Sequence, residues 1–301
     1  MSPGTAAPRE ATGAFAQPPM RLRLRLARDR TLVALCIVAL AAAVIPLVWV
    51  LWEVVSVGAQ HVSLEFLTGL PAPPTVGGGG WANAIVGSFV VVGIALLIGV
   101  PVGVATGIYM SEYGDNLLGR STRFLCEVMA GIPSIVAGIV AYGLIVVTMG
   151  RFSAVSGGIA LTALFIPIVA ITTQEALRMV PRHQREASFA LGIPEAPTTL
   201  RVILPAAMGN VLTGIMIATA RIAGETAPLL FTAFNSNYWL EGIDQPTATI
   251  PVNIYSYAIS PFEHWHNQAW AGALVLVSII LVTNVVARTL WARRARFMSG
   301  H

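Results

Sequence analysis

Six stretches of the chain read as helices that cross a membrane, a task that takes about 20 consecutive apolar residues. They run from Thr31 to Val57, Asn83 to Met110, Phe124 to Thr148, Gly157 to Ile171, Ala206 to Phe231 and Trp270 to Trp291. The fourth is the shortest, and its pattern continues as helix through Gln174 to Arg178. The first is about twice as long as the apolar region of a signal peptide, so it predicts an anchored span. Ahead of it the first twenty residues, with Pro3, Pro8, Pro18 and Pro19, read as a disordered tail. Gly77 to Gly80 predicts a flexible external turn before Trp81.

The positions of the arginines add an orientation. They gather before the first span (Arg9, Arg21, Arg23, Arg25, Arg28, Arg30), between the second and third (Arg120, Arg123), between the fourth and fifth (Arg178, Arg182, Arg185, Arg201) and near the end (Arg288, Arg293, Arg294, Arg296). In a six-span layout all these segments fall on one side. The other side holds Arg151 together with Glu65, Glu241, Asp244 and Glu263. Basic residues favour cytoplasmic loops, so both termini are expected in the cytoplasm.

Composition agrees with the pattern. Of 301 residues, 55% are hydrophobic and 11% charged, against about 25% charged in an ordinary soluble domain. All 18 Lys+Arg positions are arginine. Without lysine there is no Walker A phosphate loop, no pyridoxal Schiff base and no Ser/Lys dyad. Cys36 and Cys126 lie in apolar runs and read as small core residues. His61, His183, His264 and His266 fall in loops, which leaves no Ser/His pair at membrane depth for an intramembrane protease. His264 and His266 have the spacing of metal ligands, but beside Trp265 and Trp270 they read as part of an interfacial belt. Glu53 and Glu127, near span ends, read as side chains reaching the interface.

The longest internal loop lies between the fourth and fifth spans. Pro181 suits the start of a helix, Gly192 a left-handed helix end and Pro194 a restart, so a helix is predicted over about Arg182 to Leu191. Phe189 and Leu191 are apolar outside the membrane, which signals a partner or packing on the chain's own bundle. Glu186-Ala187-Ser188, three residues, Gly192, nine residues and then Val202-Ile203-Leu204-Pro205 resembles the "EAA" loop of ABC-importer permeases. It departs from the usual pattern at Ser188, for Ala, and at Val202, for Ile. The resemblance implies a coupling helix seated on a separate ATPase subunit, with Glu186, Ala187, Gly192, Arg185 and Phe189 as its contact residues. A chain without lysine needs such a partner to supply ATP hydrolysis.

Arg221 is the only arginine placed well inside a span. A charge there is a functional hypothesis by default, costing about 2.5–3.5 kcal/mol on insertion scales. Glu225 follows four residues later, on the same face of an unbroken helix. One reading is a self-contained ion pair. The other is an anion path, in which the guanidinium fork suits a tetrahedral oxyanion. A carboxylate can then accept the proton that phosphate still partly carries at pH 7 and sulfate does not. Thr219 and Thr226 are candidate additional contacts, although such threonines often bond their own backbone.

Ala220-Arg221-Ile-Ala-Gly224-Glu225-Thr226-Ala227-Pro228, with Gly131-Ile-Pro133-Ser134-Ile-Val136-Ala-Gly138, resembles the phosphate-specific permeases of ABC importers, the PstA group more than the PstC group. The resemblance implies an all-α membrane protein with six transmembrane helices in the type I (MetI-like) importer bundle. It implies that the family's transport-critical intramembrane arginine is Arg221, with Glu225 next, and with the two threonines the expected substrate path runs through Arg221, Glu225, Thr226 and Thr219. The expected layout is a tail over 1–30, a first span and external loop over 31–80, a permease domain over 81–294 with the coupling loop at 179–205, and a tail over 295–301. The implied partners are a PstC-like permease, a PstB-like ATPase dimer, a PstS-like extracytoplasmic binding protein and phosphate, in the plasma (inner) membrane. No cofactor, resident metal, catalytic residue or nucleic-acid partner is expected. A sulfate or molybdate importer and a secondary anion transporter are the alternatives.

Overall fold

The computed structural model describes residues 20–299; the stretch 1–19, expected as a disordered tail, and residues 300–301 lie outside it. The chain divides between Glu53 and Val54 into two units, and the first helix, α1 (Met20–His61), runs through that division. Met20 to Arg30, expected in the tail, is helical because it is built of leucine and arginine, both good helix formers, with no breaker after Pro19. Cys36 on α1 is exposed and Cys126 buried. An apolar run in a membrane chain marks a lipid-facing surface as readily as a core, so the expectation for Cys36 is corrected.

After the short α2 (Leu64–Thr68), α3 (Ala82–Glu112) and α7 (Ala154–Arg178) form the centre of the second unit. On α3, Gly87, Val91, Ala95, Gly99, Gly103 and Gly107 recur every fourth residue and all are buried. A Cβ at Gly103 would lie 2.9 Å from Val169 Cβ, and one at Gly107 would lie 2.6 Å from the Ala170 carbonyl oxygen. Small residues let two apolar helices approach backbone to backbone, the contact that substitutes for hydrophobic driving force inside a membrane. Between α3 and α7 the chain forms α4 (Leu117–Gly131) and α5 (Ser134–Ala141), then a π-helical turn (Tyr142–Val146) and the three-residue α6 (Val147–Met149). The third predicted span is therefore bent, by 104° between α4 and the Ser134–Met149 segment. Pro133 causes this. It has no N–H to donate, and it drives Ile132 out of the helical region to φ −69°, ψ 132°.

Next come α8 (Arg182–Ala190), α9 (Glu195–Thr198), a π turn (Thr199–Ile203), α10 (Leu204–Ala223), α11 (Ala227–Thr232), α12 (Ile250–Ala258) and α13 (Glu263–Ser299). Because α13 reaches Ser299, residues 295–299 are helix where a tail was expected. The fifth predicted span stops at Ala223, eight residues short of Phe231, because Gly224 ends it and Pro228 starts a new helix in its first turn. Among the described residues five helices are long and apolar enough to cross a membrane, and the bent α4–α6 segment makes a sixth if it counts as one span. The protein is thus an all-α membrane chain of the predicted class.

The glycine turn is built rather than slack. Gly77, Gly78 and Gly79 take φ of 69°, 74° and 81°, and Gln268 Nε2 donates to the Gly78 carbonyl over 2.8 Å. This holds Trp81, fully buried, between Phe66 and Tyr257.

Candidate functional site: the coupling loop and the intramembrane arginine

The loop helix α8 ends as its sequence demands. Gly192 takes φ +74°, its N–H donates to the Phe189 carbonyl at 2.9 Å and that of Ile193 to Ser188 at 3.2 Å. These are the paired bonds of a glycine-closed helix end. Two faces result. Glu186, Ala187, Phe189 and Gly192 are exposed, whereas Ser188 is buried and its Oγ lies 2.8 Å from Thr198 Oγ1. This hydroxyl pair accounts for a serine where the family pattern has alanine.

Arg185 does not share the exposed face with Glu186. It turns inward and donates from Nη1 and Nη2 to the two carboxylate oxygens of Glu112, at 2.7 and 2.8 Å. That hydrogen-bonded carboxylate holds the Arg185 guanidinium even further up than an ordinary arginine, against the opposing effect of burial. Arg185 was expected among the ATPase contacts; in the structure its guanidinium is engaged with Glu112 and ties α8 to the end of α3. Glu112 itself went unnoticed in the sequence, where it is one acidic residue among the polar ones that close the second span.

Arg221 sits one turn before the break at Gly224. Contacts between α7 and α10 run in reverse order, Ala176 and Leu177 beside Ile203 and Ala207, Leu161 and Phe165 beside Ala218 and Ile222, so the helices are antiparallel. Gly214 abuts Thr172. Counting seven residues from that pair along each helix puts Arg221 at about the level of Phe165, near the middle of α7. At that depth Arg221 is exposed on its chain, as are Asn210, Ile217 and Gly224, which recur along the same stripe of α10.

The other residues expected in a substrate path are sorted by the same geometry. The Arg221–Glu225 ion pair does not form: the helix ends before Glu225, and among the described residues the ion pairs are Arg123–Glu127, Arg151–Asp244 and Arg185–Glu112. Glu225 and Thr226 lie half-buried in the break, with Thr226 Oγ1 3.5 Å from the Pro251 carbonyl. Thr219 donates to the Ile215 carbonyl at 2.8 Å, and two positions from Arg221 its side chain points away from it, so the structure does not bring these two together. Glu127 pairs with Arg123 at the surface. His266 Nε2 lies 2.6 Å from the Ser260 carbonyl, and Trp265 stacks on Tyr257 at 4.3 Å.

The two short strings on which the resemblance rested meet in space. A Cβ at Gly138 would come within 2.6 Å of Pro228 Cα, so the helix after the Pro133 bend packs on the helix after the Gly224 break. The comparisons decide what such a bundle is. A family model described as binding-protein-dependent transport system inner membrane component matches residues 99–296. The phosphate transport system permease protein PstA of Yersinia pestis is 43% identical over 249 residues, 82% of this chain and 84% of that protein. PstA of Haemophilus influenzae is 38% identical over 271 residues, 89% of this chain and 95% of that protein. The chain belongs to the PstA family of ABC-importer permeases. Solved structures support the fold of this permease. An inward-facing MetNI methionine ABC transporter superposes with a TM-score of 0.55 at 18% identity, covering 69% of this chain and 91% of that one. A bacterial ABC transporter involved in the import of the acidic polysaccharide alginate superposes with 0.56 at 15% identity, covering 89% and 99%. Both carry the type I importer bundle onto the permease. The inner-membrane, multi-pass assignment follows from the family and the apolar helices together, and membership of an ABC-importer family removes the secondary-transporter reading.

Proposed function

We propose that this permease moves inorganic phosphate into the cell as the membrane-spanning partner of a PstC-like permease. A PstB-like ATPase dimer docks on the exposed Glu186, Ala187, Phe189 and Gly192 face of α8. A PstS-like extracytoplasmic protein delivers the anion, and both termini lie in the cytoplasm. The observation that carries the reading is Arg221, a guanidinium exposed on its chain at mid-bundle depth beside a helix break. Hydrocarbon is a costly surrounding for such a group, so it faces an aqueous path. There its fork binds the oxyanion transiently, since an ion that enters must also leave.

Glu225, freed from Arg221 by the break, is the proton acceptor that separates protonated phosphate from sulfate. ATP hydrolysis elsewhere shifts the pair of permeases between inward and outward access. The test is Arg221→Gln in cells whose other phosphate uptake routes are removed. Uptake is expected to fall to background while the complex still assembles and purifies. Normal uptake by that variant sinks the anion path, and sulfate competing equally with phosphate in the unaltered permease sinks the choice of substrate.

A further inference from the structure

We infer that the permease holds a phospholipid with an anionic headgroup in a groove formed by α3, α10 and α13, on a side of α10 turned away from Arg221. Two cavities of about 220 and 290 Å³ share Leu96, Thr219, Thr283 and Asn284 in their walls, so they are two parts of one cleft. Its extent along α13, from Leu276 to Trp291, is about 22 Å at 1.5 Å per residue. One leaflet's hydrocarbon is about 15 Å deep, half of a typical core, so the cleft accepts an acyl chain along its length.

The lining has the chemistry of a hydrocarbon site. Four hydroxyls reach its walls and each bonds backbone: Ser88 Oγ accepts from the Ile250 N–H at 2.8 Å, and Thr213, Thr219 and Thr283 donate to the carbonyls of Gly209, Ile215 and Ile279. Side chains in its walls that make no hydrogen bond among the described residues include Asn284 and, at the end nearer α8, Arg288 and Trp291. Arg288 is exposed and makes no ion pair among the described residues, and Trp291 stands beside it in the wall. A cationic fork and an indole at the end of an apolar cleft match a lipid phosphate at headgroup level above its acyl chain. The anion path has the opposite character, with its charge at mid-depth.

The test uses the full-length permease in nanodiscs of equal parts phosphatidylglycerol and phosphatidylethanolamine, then extracted in mild detergent, with retained lipid counted by native mass spectrometry. Arg288→Gln is expected to lower retained phosphatidylglycerol about fivefold relative to phosphatidylethanolamine, the weight of one surface arginine. Gly93 lines the cleft with no atom within 4 Å of where its Cβ would stand, so Gly93→Leu fills the cleft without disturbing the fold and is expected to remove both lipids. Equal loss of the two lipids in Arg288→Gln overturns the headgroup assignment. Unchanged lipid in Gly93→Leu overturns the site, and is the result expected if a neighbouring polypeptide fills the cleft instead.

Discussion

Arg185 and Glu112 show how one half-buried pair fixes a loop helix. Their side chains are 24% and 16% exposed, so each charge has lost much of its hydration and depends on the other. Surface pairs such as Arg123–Glu127, 46% and 53% exposed, contribute little by comparison. Glu112→Gln keeps shape and removes charge, leaving the guanidinium under-compensated at a partly dehydrated site. A cost of about 1–3 kcal/mol is expected. It should appear as a lower thermal midpoint of the purified permease and earlier proteolysis within 179–205. Arg185→Gln added to Glu112→Gln should recover part of the loss, because two neutral amides can bond each other. A midpoint identical to that of the unaltered chain would show that the pair contributes nothing to holding α8. The residue types around α8 were legible in the sequence, down to the glycine that closes it. The partner of Arg185 was not, since it lies 73 positions away and only packing joins them.

At the scale of elements, the α3–α7 contact makes a sharp demand on side-chain size. At Gly103 even a methyl would crowd Val169, whereas Gly93, on the exposed side of the same helix, meets nothing. Gly103→Leu should therefore force the helices apart, at about 1–3 kcal/mol or more, and reduce the amount of permease recovered from membranes. Gly93→Leu should leave recovery unchanged. Equal recovery of the two variants would contradict the packing described. The spans themselves were plain from hydropathy, because length and apolarity suffice to mark them. Their interruptions were less so: Pro133 and Gly224 sit inside apolar runs whose average hides a single breaker, and a window that scores every residue alike also hides the recurrence of small residues at every fourth position on α3. Helix α12 escaped notice because nine residues are too few to register as a span, although Pro251 at its start is the usual mark of a first turn.

For the whole molecule, the proposed function requires motion at α8 to reach Arg221. From Glu195 to Ala223 the chain is helical without a break, through the π turn, and Arg221 lies about 39 Å along this rod from Glu195. Helix α8 is held to the base of the rod by Ser188–Thr198 and to the end of α3 by Arg185–Glu112, so a push on α8 arrives at the base of both α3 and α10. If the three move as one body, a covalent link between α8 and α9 changes nothing. Ser188→Cys with Thr198→Cys, in a background where Cys36 and Cys126 are replaced by alanine, places two thiols where the hydroxyl oxygens now stand 2.8 Å apart, within reach of a disulfide after a small adjustment. Oxidation is expected to leave phosphate-stimulated ATP turnover and uptake within about twofold of the reduced protein. Loss of uptake that reductant restores would instead mean that α8 swings relative to α9 during each cycle, and that the stroke reaches Arg221 through α3 and the Glu112 pair rather than through the α9–α10 rod.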